Sequence, residues 1–397
     1  MTSVLYILSF FSHSAWNDFF YGEPKFNKIA DKNTRFNDNS NYNSYYISSC
    51  QFSDLTKDGA LRVKSDSEMC KFLMDTSTFK GCRHESQDGG SLYINFNKGE
   101  CIQDRICSFE SGIQKDDKSG AYCSVSITTK DSINRNYKNY ILYSTIAYSG
   151  NKDSNGRANI YLSKQLINMS SINISHAKMP YSSIYYVTIR SDSTISYSTF
   201  SNNTSTGELE IRFFDAHHHS TSYDRKLKIL NCNYFGNNLG NFIYCFNDLE
   251  IENCNFYDNE ISNHYFYSQN NRIILAKNCY IKDENIITRG YVTIRNIIGL
   301  KYPVNKHLST GLCHAEQKLE IQEEPAAESE EASNTEEESE EASNTEEESE
   351  EASNTEEESE EASNTEKEPE VNNTEIIIRK TLSKNPYRKS MRLMLRR

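Results

Sequence analysis

The sequence predicts an all-β chain wound as a parallel β-helix, a solenoid of stacked coils, with a disordered charged C-terminal tail. Three observations carry this reading. The segment LKILNCNYFGNN at 227–238 returns as LEIENCNFYDNE at 249–260, and self-similarity at tens of residues marks stacked repeats. The composition, with 26 Tyr, 19 Phe, 6 Pro and one Trp among many Ser and Asn, suits strands joined by tight turns. Short strand-like runs (SLYINF 91–96, YVTIR 186–190, ELEIRFF 208–214, YVTIR 291–295) alternate with Asn, Ser, Gly and Asp, and no segment of the body sustains a helical period.

Residues 1–15 open the chain with an apolar run from Val4 to Phe11 and no charge before Asp18. They read as a secretory signal cleaved after Ala15 or, alternatively, as an N-terminal cap or first strand. Beyond them, no apolar run reaches the ~18 residues a membrane helix needs.

Residues 16–315 form the predicted parallel β-helix. An Ile or Met, two residues, Cys or Ser, one residue, then Phe, Tyr or Ile recurs seven times. The copies are Ile47/Cys50/Phe52, Met74/Ser77/Phe79, Ile141/Ser144/Ile146, Ile167/Ser170/Ile172, Ile195/Ser198/Phe200, Ile229/Cys232/Tyr234 and Ile251/Cys254/Phe256. Two shorter copies are Cys107/Phe109 and Cys279/Ile281. Chance would supply about one full copy in such a composition. Ile and Cys/Ser have opposite strand parity, so both face inward only if the chain turns between them. Asn231, Asn253 and Asn278 occupy that turn, and Asn tolerates the left-handed backbone of a tight corner. Cys232, Cys254 and Cys279 are then expected one above another in the core as small apolar side chains, poorly aimed for disulfides. Eleven cysteines without a CxxC pair speak against zinc ribbons and thioredoxin-like sites, and their number does not fix the compartment.

These residues resemble the polymorphic outer membrane protein repeat, which carries Phe-x-x-Asn and Gly-Gly-Ala-aliphatic tetrapeptides on a right-handed β-helix. The counterparts here are Phe200–Asn203, Phe235–Asn238, Phe256–Asn259 and Gly89-Gly90-Ser91-Leu92. The chain is also similar to the right-handed, pectin-lyase-like β-helix surface proteins of parasitic protists. Over residues 40–300 the resemblance implies a right-handed coil on a surface-exposed or secreted protein. No barrel or anchor of the outer-membrane kind follows in this sequence.

Polysaccharide lyases and hydrolases also use parallel β-helices, but this chain lacks NTD, GHG and RIK segments. The nearest chemical cluster is Asp215, His217 and His219, which would share one strand face and could hold a metal. An exposed polar loop is the commoner meaning of three adjacent His. The reading is therefore non-enzymatic, with no cofactor. Asn168, Asn173, Asn202, Asn203 and Asn372 match the N-glycosylation pattern.

Residues 316–375 carry 26 Glu against 2 Lys, a local charge of −24, and include ESEEASNTE four times at ten-residue spacing from Glu328. Such a block has too little apolar surface to offset its ordering entropy. Ser333 and Thr335 fit acid-directed phosphorylation, and a plain solvated spacer is the alternative. Residues 376–397 carry 8 Lys/Arg and no acid, suited to an anionic membrane surface or to the acidic tract itself. The body is left at +3, too weak a field for nucleic acid.

The expected function is adhesion or protein/glycan interaction by a monomer that is extracellular or at a cell surface. The alternatives are a carbohydrate-active enzyme on the same coil and a cytoplasmic scaffold with an uncleaved N-terminus.

Overall fold

The computed structural model describes residues 15–23, 34–67, 69–128, 137–150, 156–187, 192–205, 212–217, 226–282, 286–302 and 313. The chain divides into two compact units, Met1–Glu323 and Glu324–Arg397, and every described residue belongs to the first. The N-terminal residues 1–14, the acidic repeats and the basic tail lie outside the described residues. Among the described residues, no helix is long and apolar enough to cross a membrane.

The described unit is all-β. Apart from a two-stranded parallel pair, Arg83–His84 with Gly112–Ile113, its strands are dealt in rotation to three parallel sheets of 12, 10 and 9 strands. One set of three strands is a coil: Leu61–Ser65 in the first sheet, Cys70–Asp75 in the second, Thr78–Lys80 in the third. Each strand pairs in parallel with its counterparts in the coils on either side, as Ile229↔Ile251 and Tyr234↔Phe256 show.

The predicted inward files are present. Ile47, Met74, Gln103, Ile141, Met169, Ile195, Ile229, Ile251, Ala276 and Ile294 form one unbroken register along the second sheet. The third sheet's inner file stacks its rings nearly flat. Phe200, Tyr234 and Phe256 lie 4.8 and 4.9 Å apart, tilted by 10° and 4°.

Two copies of the sequence pattern are corrected. Ile141 pairs with Met169, so that coil reads Met169/Ile172/Ile174, two residues beyond the expected Ile167/Ser170/Ile172. Phe79 pairs with Ser108, so the next is Gln103/Ile106/Ser108, and Cys107 points outward. A one-residue slip exchanges the two faces of a strand. This coil hid its register because its interior is polar: Tyr122 donates from its hydroxyl to Gln103 Oε1 at 2.6 Å, and Ser108 and Ser91 each meet Ser111 at 2.6 Å.

The turn between second and third sheets is left-handed in ten coils: Ser49, Thr76, Arg105, Tyr143, Ser171, Tyr197, Asn231, Asn253, Asn278 and Asn296 have φ between +46° and +57°. Asn holds the last four, the expected Asn231, Asn253 and Asn278 and, beyond them, Asn296. Elsewhere the stack imposes a conformation that Tyr and Thr disfavour. The next residue's N–H points inward, and a side chain of the following coil caps it. Cys50 N–H donates to Ser77 Oγ at 3.2 Å, Ile106 N–H to Ser144 Oγ at 3.0 Å, and Cys232 N–H to Cys254 Sγ at 3.4 Å. The Ser and Cys of the repeat are therefore corner caps, not merely small core residues.

A second left-handed corner follows the third sheet at Asp54, Gly81, Glu110, Tyr148, His176, Asn202, Gly236 and Asp258. Just past it, Asn203, Asn237 and Asn259 form a buried ladder. Asn237 Oδ1 accepts from the backbone N–H and the amide of Asn203, both at 3.0 Å, while its Nδ2 donates to Phe200 O and Asn259 Oδ1. This corrects one tetrapeptide: the in-register pair is Tyr234–Asn237, not Phe235–Asn238. The glycine motif also has a geometric cause, because a Cβ on Gly90 would fall 2.1 Å from Gly112 O.

Asn237→Ala should lower unfolding free energy by roughly 1–3 kcal/mol through its unpaired partners, whereas exposed Asn238→Ala should stay within about 0.5 kcal/mol. Urea denaturation checks this; equal effects at the two positions would refute the ladder. Cys254→Ser, which keeps an acceptor, should be at least as stable as Cys254→Ala in the same assay.

Candidate binding face

Each sheet has an outer face, and the three faces differ in what covers them. On the second sheet, the outward residues Tyr46, Leu73, Ile102 and Tyr140 are apolar. The helix Ala15–Phe19 and the adjoining Phe20 lie on them, burying Ala15, Trp16 and Phe20. Lys138 Nζ donates to Phe19 O at 2.7 Å and Lys71 pairs with Glu23 at 2.5 Å. Below Tyr140 the same file turns polar through Asn168, Thr194, Lys228 and Glu250. On the third sheet, Cys107 is disulfide-bonded to Cys313, 206 residues away, and the Tyr302 backbone exchanges two hydrogen bonds with the Asn255 side-chain amide.

One outward file of the first sheet has the register Arg62, Tyr93, Ser124, Tyr161, Tyr185, Asp215, Tyr244, Tyr267, Arg289, with every step paired directly. Tyr93, Tyr161 and Tyr185 are half-buried. Tyr161 and Tyr185 have ring centroids 5.4 Å apart, and Tyr244 and Tyr267 meet edge-to-face at 4.7 Å. Guanidinium groups close both ends: Arg62 lies 4.2 Å over the Tyr93 ring and Arg289 lies 4.8 Å over Tyr267. The parallel outward file Lys64, Asn95, Ser126, Ser163 is polar.

The Arg62 end is held by a loop. Arg62 donates to Asp88 O at 2.9 Å and Gln87 Oε1 at 2.8 Å, and the Gln87 and Ser86 N–H groups both donate to His84 Nδ1 at 3.1 Å. Burial, with the Arg62 charge nearby, pushes the His84 imidazole down to about 4, and Asp58 opposes this.

The tyrosine file was not among the sequence expectations. Its signal was an apolar-Tyr-apolar triplet in several coils, as in Leu92-Tyr93-Ile94, Ile160-Tyr161-Leu162 and Ile243-Tyr244-Cys245. Of the metal candidates, Asp215 and His217 belong to strand Arg212–His217, in register with Tyr185 and Val187; His219 lies outside the described residues. Among the described residues, no three His, Cys, Asp or Glu side chains gather as metal ligands.

The glycosylation candidates separate by position. Asn202 is exposed and Asn168 half-buried, and Asn168 Oδ1 accepts from Thr194. Asn173 is buried on the third sheet's outer side, and the Asn203 amide is enclosed in the ladder, closed to a sugar in the folded coil. Asn372, Ser333 and Thr335 lie outside the described residues.

No protein-family model, curated protein or solved structure matches this chain.

Because the folded His84 value lies below the unfolded ~6.5, its stabilising contribution is complete above pH 6.5 and is lost as pH falls toward 4. Denaturation at pH 7 and pH 4.5 should show wild type losing roughly 1–3 kcal/mol that His84→Asn does not lose. An identical pH slope in the variant would contradict the assignment.

Proposed function

We propose that this chain is a right-handed parallel β-helix that works without catalysis, secreted or at a cell surface, and binds a glycan chain along its outer tyrosine file. The registered file from Arg62 to Arg289 carries this reading. The coil hand follows from a general rule: crossovers between parallel strands of one sheet are right-handed in about 98% of cases. Tyr offers large, rigid, amphipathic contact area at low entropy cost. Its half-buried rings Tyr161 and Tyr185 stand one inter-strand spacing of about 4.8 Å apart along the file, comparable to one sugar unit. The adjacent file opens with the polar residues Lys64, Asn95, Ser126 and Ser163, which suit the hydroxyl groups beside a sugar ring. Glycoside hydrolysis employs a pair of carboxylates, whereas this file contains Asp215 alone.

A glycan array probed with the full chain, followed by calorimetric titration of the best binder, tests this. Tyr161→Ala and Tyr185→Ala should each weaken binding about 3- to 10-fold, the scale of a lost aromatic contact. Tyr143→Ala, exposed on a corner outside the file, should bind as wild type, and chelation should change nothing. Array-wide silence, or unaltered affinity in both file variants, would remove the reading.

A further inference from the structure

The eleven cysteines fall into two chemical classes. Nine are free and buried. Burial raises the thiol of Cys70 to about 12 and that of Cys82 to about 11 and lifts Cys101, Cys123 and Cys254 well above the usual range, so thiolate chemistry is suppressed there. Cys107 differs. It faces outward, half-buried, in a file where the flanking coils place Thr78 and Thr145. Its partner Cys313 is buried against Phe109, Ala147 and Tyr148. The two Cα atoms stand 5.3 Å apart, inside the disulfide range.

A second contact locates the returning chain. After the last coil, Ile298 N–H donates to Cys279 O. Tyr302 N–H then donates to Asn255 Oδ1 at 2.8 Å, Asn255 Nδ2 donates to Tyr302 O at 2.9 Å, and the Tyr302 hydroxyl donates to Asn278 O at 3.0 Å. Asn255 and Cys107 belong to the same outward file, five strands apart in the third sheet. That separation is about 24 Å, and eleven residues of chain can reach about 36 Å.

We infer that Cys107–Cys313 is a structural disulfide made once, in an oxidising compartment, and that it fastens the chain leaving the last coil back onto the third sheet. On closure each thiol gives up a proton and an electron. The electron pair passes by thiolate exchange to the disulfide of a carrier protein, which is left as a dithiol. Bonds of this kind persist outside the reducing cytosol, so the pair sets the compartment that the cysteine count alone leaves open. The inference is independent of the glycan reading.

Protein from its native source, acid-trapped, alkylated without reduction and digested, should yield a Cys107–Cys313 peptide pair that reduction separates. The other nine cysteines should be recovered alkylated once the protein is denatured. Recovery of Cys107 and Cys313 as two alkylated peptides overturns the inference. Cys107→Thr, which restores the residue of the flanking coils, and Cys313→Ser should each lower the thermal midpoint equally, with the double variant no lower than either. Added reductant should bring wild type down to the same midpoint; a wild-type midpoint insensitive to reductant overturns the fastening role.

Discussion

The described coils turn through left-handed corners, and a corner aims a backbone N–H group into the buried interior. An unpaired group there is costly, and the coil cannot satisfy its own. In several coils the following coil does so, with Ser or Cys at the first corner and Asn at the second. This dependence is the reason for the repeat. A coil may lengthen, as between Ile106 and Ser144, 38 residues apart, or shorten, as between Cys232 and Cys254, 22 apart. Its corner residues must still meet those of its neighbour.

The parallel sheets, inward files and corners could all be read from the residue pattern, because vertical pairing forces like residues to recur. The reading slipped where one coil solved the pairing differently. With Gln103 and Ser108 inside and satisfied by Tyr122, Ser111 and Cys123, the consensus residues Cys107 and Phe109 appeared one position away, on the wrong face. At Met169 the slip was two residues, since Ile172, like Ile106, fills the corner position that Ser or Cys holds in most other coils. Tyr234 in place of Phe displaced the Asn motif in the same manner.

The candidate face was less legible. Outward residues need not match for the stack to form, so the tyrosine file announces itself only after the register is known. Asp215 and His217 drew notice by chemistry, but register sets Asp215 between tyrosines. Sequons follow a short local rule, blind to the alternation that makes Asn202 exposed and encloses Asn203. The Cys107–Cys313 bond spans 206 residues, a separation over which no local spacing carries information.

That bond also alters how the molecule bears load. The acidic tract begins at residue 316, just beyond Cys313. Tension applied at Cys313 enters the fold at the strand Cys107–Phe109 and bypasses the coils after it. Forced unfolding is governed by the rate at which the loaded element opens. The loaded strand here is an interior one, paired on both sides, and the terminal coils, which would peel first under a pull at their own end, are shielded.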